Sequence, residues 1–219
     1  MQNLSLQVGE IHYIAVNKAN GTDACCRKIK SCRRAKPARA DADLKDAARK
    51  IAFLKLCNSG QICININQVA VAEEVADAFL SELKYAFEKQ IGTNPLQNEE
   101  YPHMISTAAY EKCRSEAAKY TDRIVFGGHG DPVSRRFEPT ILFPVSIEEG
   151  IVQHEHFSPL LPIVSFPDPE IDQVMNTIAD REHPLALYLF RRISRGQNMF
   201  CLHSNMAVGV STRSASSSW

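Results

Sequence analysis

Asn58-Ser59-Gly60-Gln61-Ile62-Cys63-Ile64-Asn65-Ile66-Asn67-Gln68-Val69-Ala70-Val71 is the stretch on which the reading of this chain turns. Its Gly-centred turn ends the preceding element, and the β-branched run Ile62 to Val71 reads as a strand. One cysteine sits between the two. Upstream, Asp41 or Asp43 can cap a helix whose apolar positions Leu44, Ala48, Ile51 and Leu54 or Phe53 recur at helical spacing as far as Asn58-Ser59-Gly60. Downstream, Val75, Phe79, Leu80, Leu83, Ala86 and Phe87 form one stripe between Glu73 and Gln90, with Gly92 as the stop.

The alternation continues along the chain. A polar, proline-containing linker over 93–102 precedes a helix expected from Ser106 or Thr107 through Tyr120, followed by a strand at Ile124-Val125-Phe126. Pro139 to Val145, Leu161 to Phe166 and Leu185 to Phe190 read as strands, and Asp168 to Arg181 as an amphipathic helix. Strands that are apolar along their whole length need cover on both faces. They predict an α/β fold with a largely parallel sheet flanked by helices.

The ends lack such periodicity. Residues 1–40 hold a basic block from Arg27 to Arg39 and read as an irregular basic segment; residues 191–219 are Ser-rich and read as a disordered tail. The domain is therefore placed at residues 41–190. Over all 219 residues, Lys plus Arg and Asp plus Glu total 25 each, so no net charge draws the chain to nucleic acid or to an anionic membrane. No run reaches the roughly 20 apolar residues of a membrane helix, and the opening residues lack the charged start and apolar stretch of a secretory leader. A cytoplasmic protein without nucleic-acid or membrane partners is expected. The cysteines number seven, an odd count without framework spacing, which fits reduced thiols.

Two motifs tempt other chemistry. Gly127-Gly128-His129-Gly130 follows a strand, but Pro132 and the residues after it do not open a helix whose amides could face a phosphate, so a tight turn between strands is expected. His154-Glu155-His156 could clamp a metal with His129 or His103, yet it lacks the tighter spacing of zinc sites; no metal is expected. Cys63 is the stronger candidate. A thiol reacts as its thiolate, and a turn can turn backbone amides toward it.

Asn58-Ser59-Gly60-Gln61-Ile62-Cys63 resembles the Asn-x-Gly-Gln-x-Cys signature of aldehyde dehydrogenases, with Cys63 in the nucleophile's place. Glu155-His156-Phe157-Ser158-Pro159 resembles that family's Glu-Ile-Phe-Gly-Pro segment, and Leu160-Leu161-Pro162-Ile163 with Pro184 to Phe190 is similar to its class 3 branch. Order and spacing agree from about Asp41 to Phe190. The resemblance implies a thiolate that adds to a small-molecule aldehyde, NAD or NADP as hydride acceptor, Glu155 on the nicotinamide-side ribose hydroxyls, and Phe157 beside the nicotinamide. It also implies what is lacking: the family's Rossmann domain, its oxyanion-hole asparagine, and the Glu-Leu-Gly-Gly-Lys motif whose Glu activates water. His156 and Ser158 replace the family's Ile and Gly and add bulk at the cofactor contact.

Both flanks lose the resemblance abruptly, which reads as a fragment or a frame-shifted coding sequence. The expected activity is accordingly that of a catalytic portion without turnover of its own. The competing reading is a non-catalytic domain that binds a partner, as a homo-oligomer or with a related full-length subunit, through a surface left open by a missing neighbour.

Overall fold

The structure is a computed structural model and describes residues 13–17, 44–167, 186–190 and 200–203. The first helix, α1 (Leu44–Leu56), buries Ala47, Ala48, Ile51, Ala52 and Lys55. Phe53, expected on its apolar stripe, points outward at 58% exposure, and Lys55 takes an inward position instead. A short 3₁₀ turn, Cys57–Gly60, closes this helix. Strand β2 (Gln68–Ala72) runs directly into α2 (Glu73–Ile91), whose Phe79, Leu80, Leu83, Ala86 and Phe87 are buried as the stripe predicts. Gly92, at φ 84°, ends α2 with its amide donating to the Glu88 carbonyl. That positive φ suits glycine.

Helix α3 (Thr107–Ala118) is capped by the Ser106 hydroxyl, which accepts from the Ala109 amide. Strand β3 (Ile124–Phe126) follows, then a two-stranded hairpin of β4 (Gly130–Asp131) and β5 (Arg136–Phe137). Next come β6 (Thr140–Leu142), a one-turn helix α4 (Gly150–Gln153) and β7 (Leu160–Phe166). Among the described residues, a seven-stranded sheet is completed by β1 (Tyr13–Asn17), β8 (Ala186–Phe190) and β9 (Phe200–His203), in the order β3-β6-β7-β2-β1-β8-β9. Its centre, β6-β7-β2, is parallel; β3 on one side and β1, β8 and β9 on the other are antiparallel.

This is the α/β architecture expected. Along β7 the side chains alternate between two cores: Leu161 and Ile163 join α1 and α2, while Leu160 and Val164 join α3, α4 and Phe137. Cover on both faces explains why β7 and its neighbours are apolar along their length.

Three expectations meet differences. The strand read over Ile62 to Val71 begins only at Gln68, and 61–67 is a loop. Segments read as irregular contribute two strands: β1 pairs with β2 from Tyr13↔Val71 to Val16↔Gln68, and β9 pairs with β8 from Ala186↔His203 to Leu189↔Phe200. Sheet pairing is made by backbone N–H and C=O groups, so it can recruit a segment that shows no periodicity. The helix expected over Asp168 to Arg181, the caps at Asp41 or Asp43, and the basic block from Arg27 to Arg39 lie outside the described residues.

Candidate active site

The site begins where α1 ends. Asn58 (φ 49°), Ser59 (φ 52°) and Gly60 (φ 75°) follow one another in left-handed conformation, a sharp reversal that Asn tolerates and Gly favours. The Gln61 side chain holds this turn against the segment beyond the linker. Its Nε2 donates to the Asn58 carbonyl at 2.9 Å and to the His103 carbonyl at 3.2 Å, and its Oε1 accepts the Ile105 amide at 2.8 Å. The Ser59 hydroxyl donates to the Pro102 carbonyl. Two residues past Gln61, Cys63 is exposed.

The loop 61–67 has no ladder for most of its carbonyls, and side chains serve them instead. Asn65 Nδ2 donates to the Gly60 carbonyl at 2.7 Å, Tyr188 Oη to the Ile64 carbonyl at 2.9 Å, and Lys55 Nζ to the Ile66 carbonyl at 2.9 Å. Asn65 and Asn67 interrupt the isoleucines, and each uses its amide on the backbone, which explains why β pairing starts late. Lys55 is wholly buried, and desolvation brings its pKa down to about 7.

Gly60 is the point of contact with the second motif. A Cβ placed there would lie 2.2 Å from the Ser158 carbonyl oxygen, so only glycine permits this approach. Asn67 adds two bonds across the same junction: its Nδ2 donates to the His154 carbonyl at 3.0 Å and its Oδ1 accepts the His156 amide at 3.3 Å. The segments carrying Cys63 and Glu155, almost a hundred positions apart, are thereby joined. Glu155 lines a cavity of about 340 Å³ together with Lys112, Cys113 and Glu116 of α3, and with His156 and Ser158. Phe157 (φ 40°) is 42% exposed.

The electrostatics divide the thiols. Cys113 is 3% exposed, and burial, only partly offset by the nearby Ser158 hydroxyl, pushes its thiol up to about 12, where almost none is ionised at neutral pH. His156 retains some surface toward the cavity, but desolvation and the positive charges of Lys55 and Lys112 hold its imidazole well below 6.5. Both ring nitrogens of His156 already have partners, and the His129 ring sits against Glu138 at 3.0 Å, in the β4–β5 hairpin region. Among the described residues no three His, Cys, Asp or Glu side chains converge on a metal position. Gly127 and Gly128, at φ 70° and 101°, lead into the β4–β5 hairpin rather than a helix.

Lys55, Asn65, Asn67 and Tyr188, which shape the loop, were not singled out by motif. The signal available was local: a lysine at the buried α1 position one turn after Ile51, and two asparagines inside a run otherwise suited to a strand.

A family model described as aldehyde dehydrogenase family matches residues 38–199. Mouse (Mus musculus) aldehyde dehydrogenase family 3 member A2 is 34% identical over 152 residues, covering 69% of this chain and 31% of that relative. Of solved structures, the substrate-bound state of Staphylococcus aureus AldH is similar with a TM-score of 0.64 and 31% identity, covering 67% of this chain and 32% of that one. The NAD-dependent aldehyde dehydrogenase from Sinorhizobium meliloti has a TM-score of 0.54 and 27% identity, covering 64% and 29% respectively. The chain thus spans about a third of the length of the proteins it resembles.

Proposed function

This chain belongs to the aldehyde dehydrogenase family, and from that premise we propose that residues 41–190 form part of an aldehyde-oxidising catalytic domain with Cys63 as its nucleophile. The observation that carries the reading is the junction at Gly60, which holds an exposed cysteine turn against the loop of Glu155 and Phe157. The thiolate of Cys63 adds to the carbonyl carbon of an aldehyde; a carbon–sulfur bond forms, and the carbonyl electron pair moves to oxygen. The Cys63 backbone amide stabilises that oxyanion, an effect worth a few kcal/mol, roughly, per well-placed donor. NAD or NADP, when bound, would supply the hydride acceptor for this carbon; the acyl group would then stay on the Cys63 sulfur as a thioester, to be released by water as the carboxylic acid.

The chain's own residues fit one portion of that cofactor. A cavity of about 340 Å³ lined by Glu155 and Lys112 suits a ribose and its neighbouring phosphate, and the exposed Phe157 ring offers an apolar face to a nicotinamide. It does not enclose a whole dinucleotide. With the general-base motif unrecognised as well, this chain alone is expected to give no NAD-dependent turnover, even where a cofactor titration shows weak binding. Names among the relatives support the cofactor class and the aldehyde. Among the described residues no helix is long and apolar enough to cross a membrane, and a cytoplasmic setting with reduced thiols suits the chemistry.

Peptide mapping after limited iodoacetamide treatment at neutral pH tests this reading. Cys63 is expected to be labelled first; equal labelling of all the cysteines overturns the assignment. A second reading, a partner-binding domain forming a homo-oligomer or joining a related subunit, is favoured by the apolar side chains left in the open at Ile105 and Val133, with Ile64 and Phe157 beside the turn. A monodisperse monomer in light scattering removes it.

A further inference from the structure

The two positions at which the second motif departs from Glu-Ile-Phe-Gly-Pro are bonded to each other. His156 Nδ1 lies 3.0 Å from Ser158 Oγ, and His156 Nε2 lies 3.0 Å from the Asn67 carbonyl oxygen. A carbonyl can only accept, so Nε2 carries the proton and the lone pair on Nδ1 accepts the Ser158 hydroxyl. The Ser158 oxygen in turn accepts the Leu160 amide at 3.3 Å. The His156 amide donates to Asn67 Oδ1, whose own Nδ2 returns to the His154 carbonyl. Donor and acceptor are therefore matched at the ring and at the backbone, across one loop-to-loop contact. An apolar side chain at 156 would leave the Asn67 carbonyl and the Ser158 hydroxyl to find other partners.

We propose that His156 is a positioning residue: its neutral, Nε2-protonated ring clamps the Glu155–Pro159 loop onto the loop that follows Cys63 and so fixes where Glu155 and Phe157 are held. The functional part of the statement rests on the reading of Glu155 and Phe157 as the cofactor-facing pair; the clamp itself does not. Sharing the cavity with the imidazole are Lys112, Cys113 and Glu116 from α3, Lys119 just after it, and His154 and Glu155 from its own loop. Lys55 of α1 acts on it as a positive charge. In that setting a second proton on the ring would take away the acceptor that Ser158 uses and add a cation beside two lysines. Acid should therefore open the clamp.

Hydrogen exchange followed by mass spectrometry on the full chain tests this, with the amides of 154–160 compared against those of α2. Corrected for intrinsic rates, the wild-type loop is expected to lose about tenfold or more of its protection between about pH 7.5 and about pH 5, because the opened state is protonated below roughly 6.5 and the closed state resists. His156→Gln keeps a donor for the Asn67 carbonyl and does not titrate. It should hold protection within about threefold of wild type at the higher pH and lose the dependence on pH. His156→Ile should lose about tenfold at both values, with α2 unchanged. A wild-type loop whose protection is independent of pH, or a His156→Gln loop that keeps the full dependence, overturns the clamp. Should His156→Ile fail to fold, wild type and His156→Gln alone decide. Exchange does not depend on the thiol, so uniform alkylation with a pH-dependent loop would retain the clamp and discard Cys63 as nucleophile.

Discussion

Cys63 and Cys113 are the same side chain placed fifty positions apart and given opposite environments. Cys63 stands exposed on a loop whose backbone is served by side chains; Cys113 sits on the inner face of α3 beside the cavity, with its thiol pushed up to about 12 by burial. Both lie near the junction of the two motifs. What separates them is access to water, since desolvation disfavours a thiolate more than any nearby dipole in this structure compensates. A cysteine count or a spacing rule treats the two alike. The difference resides in which of them the helix packing buries.

The sharpest way to break this comparison is to measure both thiols in one labelling time course. With a pKa near 12 against about 8.5 for a free thiol, Cys113 should react roughly a thousandfold more slowly than an exposed cysteine, and a ratio near one would mean that α3 does not pack as described. Next in size is the junction itself. Gly60→Ala demands a left-handed alanine with its Cβ against the Ser158 carbonyl, and chemical denaturation should show a loss of ~3 kcal/mol. If the variant is as stable as wild type, the two motifs are not in contact.

A smaller effect concerns Lys55 beneath the Cys63 loop. Its pKa is lowered on folding, so the unfolded chain binds the proton more tightly, and stability must rise as pH increases from about 7 toward the unfolded value near 10.5. Between about pH 7 and pH 9 the gain should be ~2 kcal/mol, and Lys55→Met should flatten it; an identical slope in the variant would show that Lys55 is not the group responsible.

Much of the framework was legible in residue order. The apolar stripe of α2 with Gly92 after it, the start of α3 at Ser106 or Thr107, and the mainly apolar run of β7 each express a local rule that tertiary contacts then reinforce. The loop 61–67 was less legible, because Ile62, Ile64 and Ile66 alternate as a strand would, while the competing bonds from Asn65, Tyr188 and Lys55 come from three different parts of the fold. β1 was hidden for a related reason: its place between β2 and β8 is made by backbone pairing, which leaves little trace in side-chain order.

By itself the sequence determined α1, α2 and α3, the turn at Gly60, the pair of motifs and hence the family, since these depend on spacing and on glycine's conformational range. Only the tertiary structure decided that the cysteine at 63 faces solvent and the one at 113 does not, that a lysine lies beneath the first, and that a histidine joins the two motif loops. Burial and cross-chain hydrogen bonding are properties of neighbours in space, and a thiol or an imidazole acquires its chemistry from them.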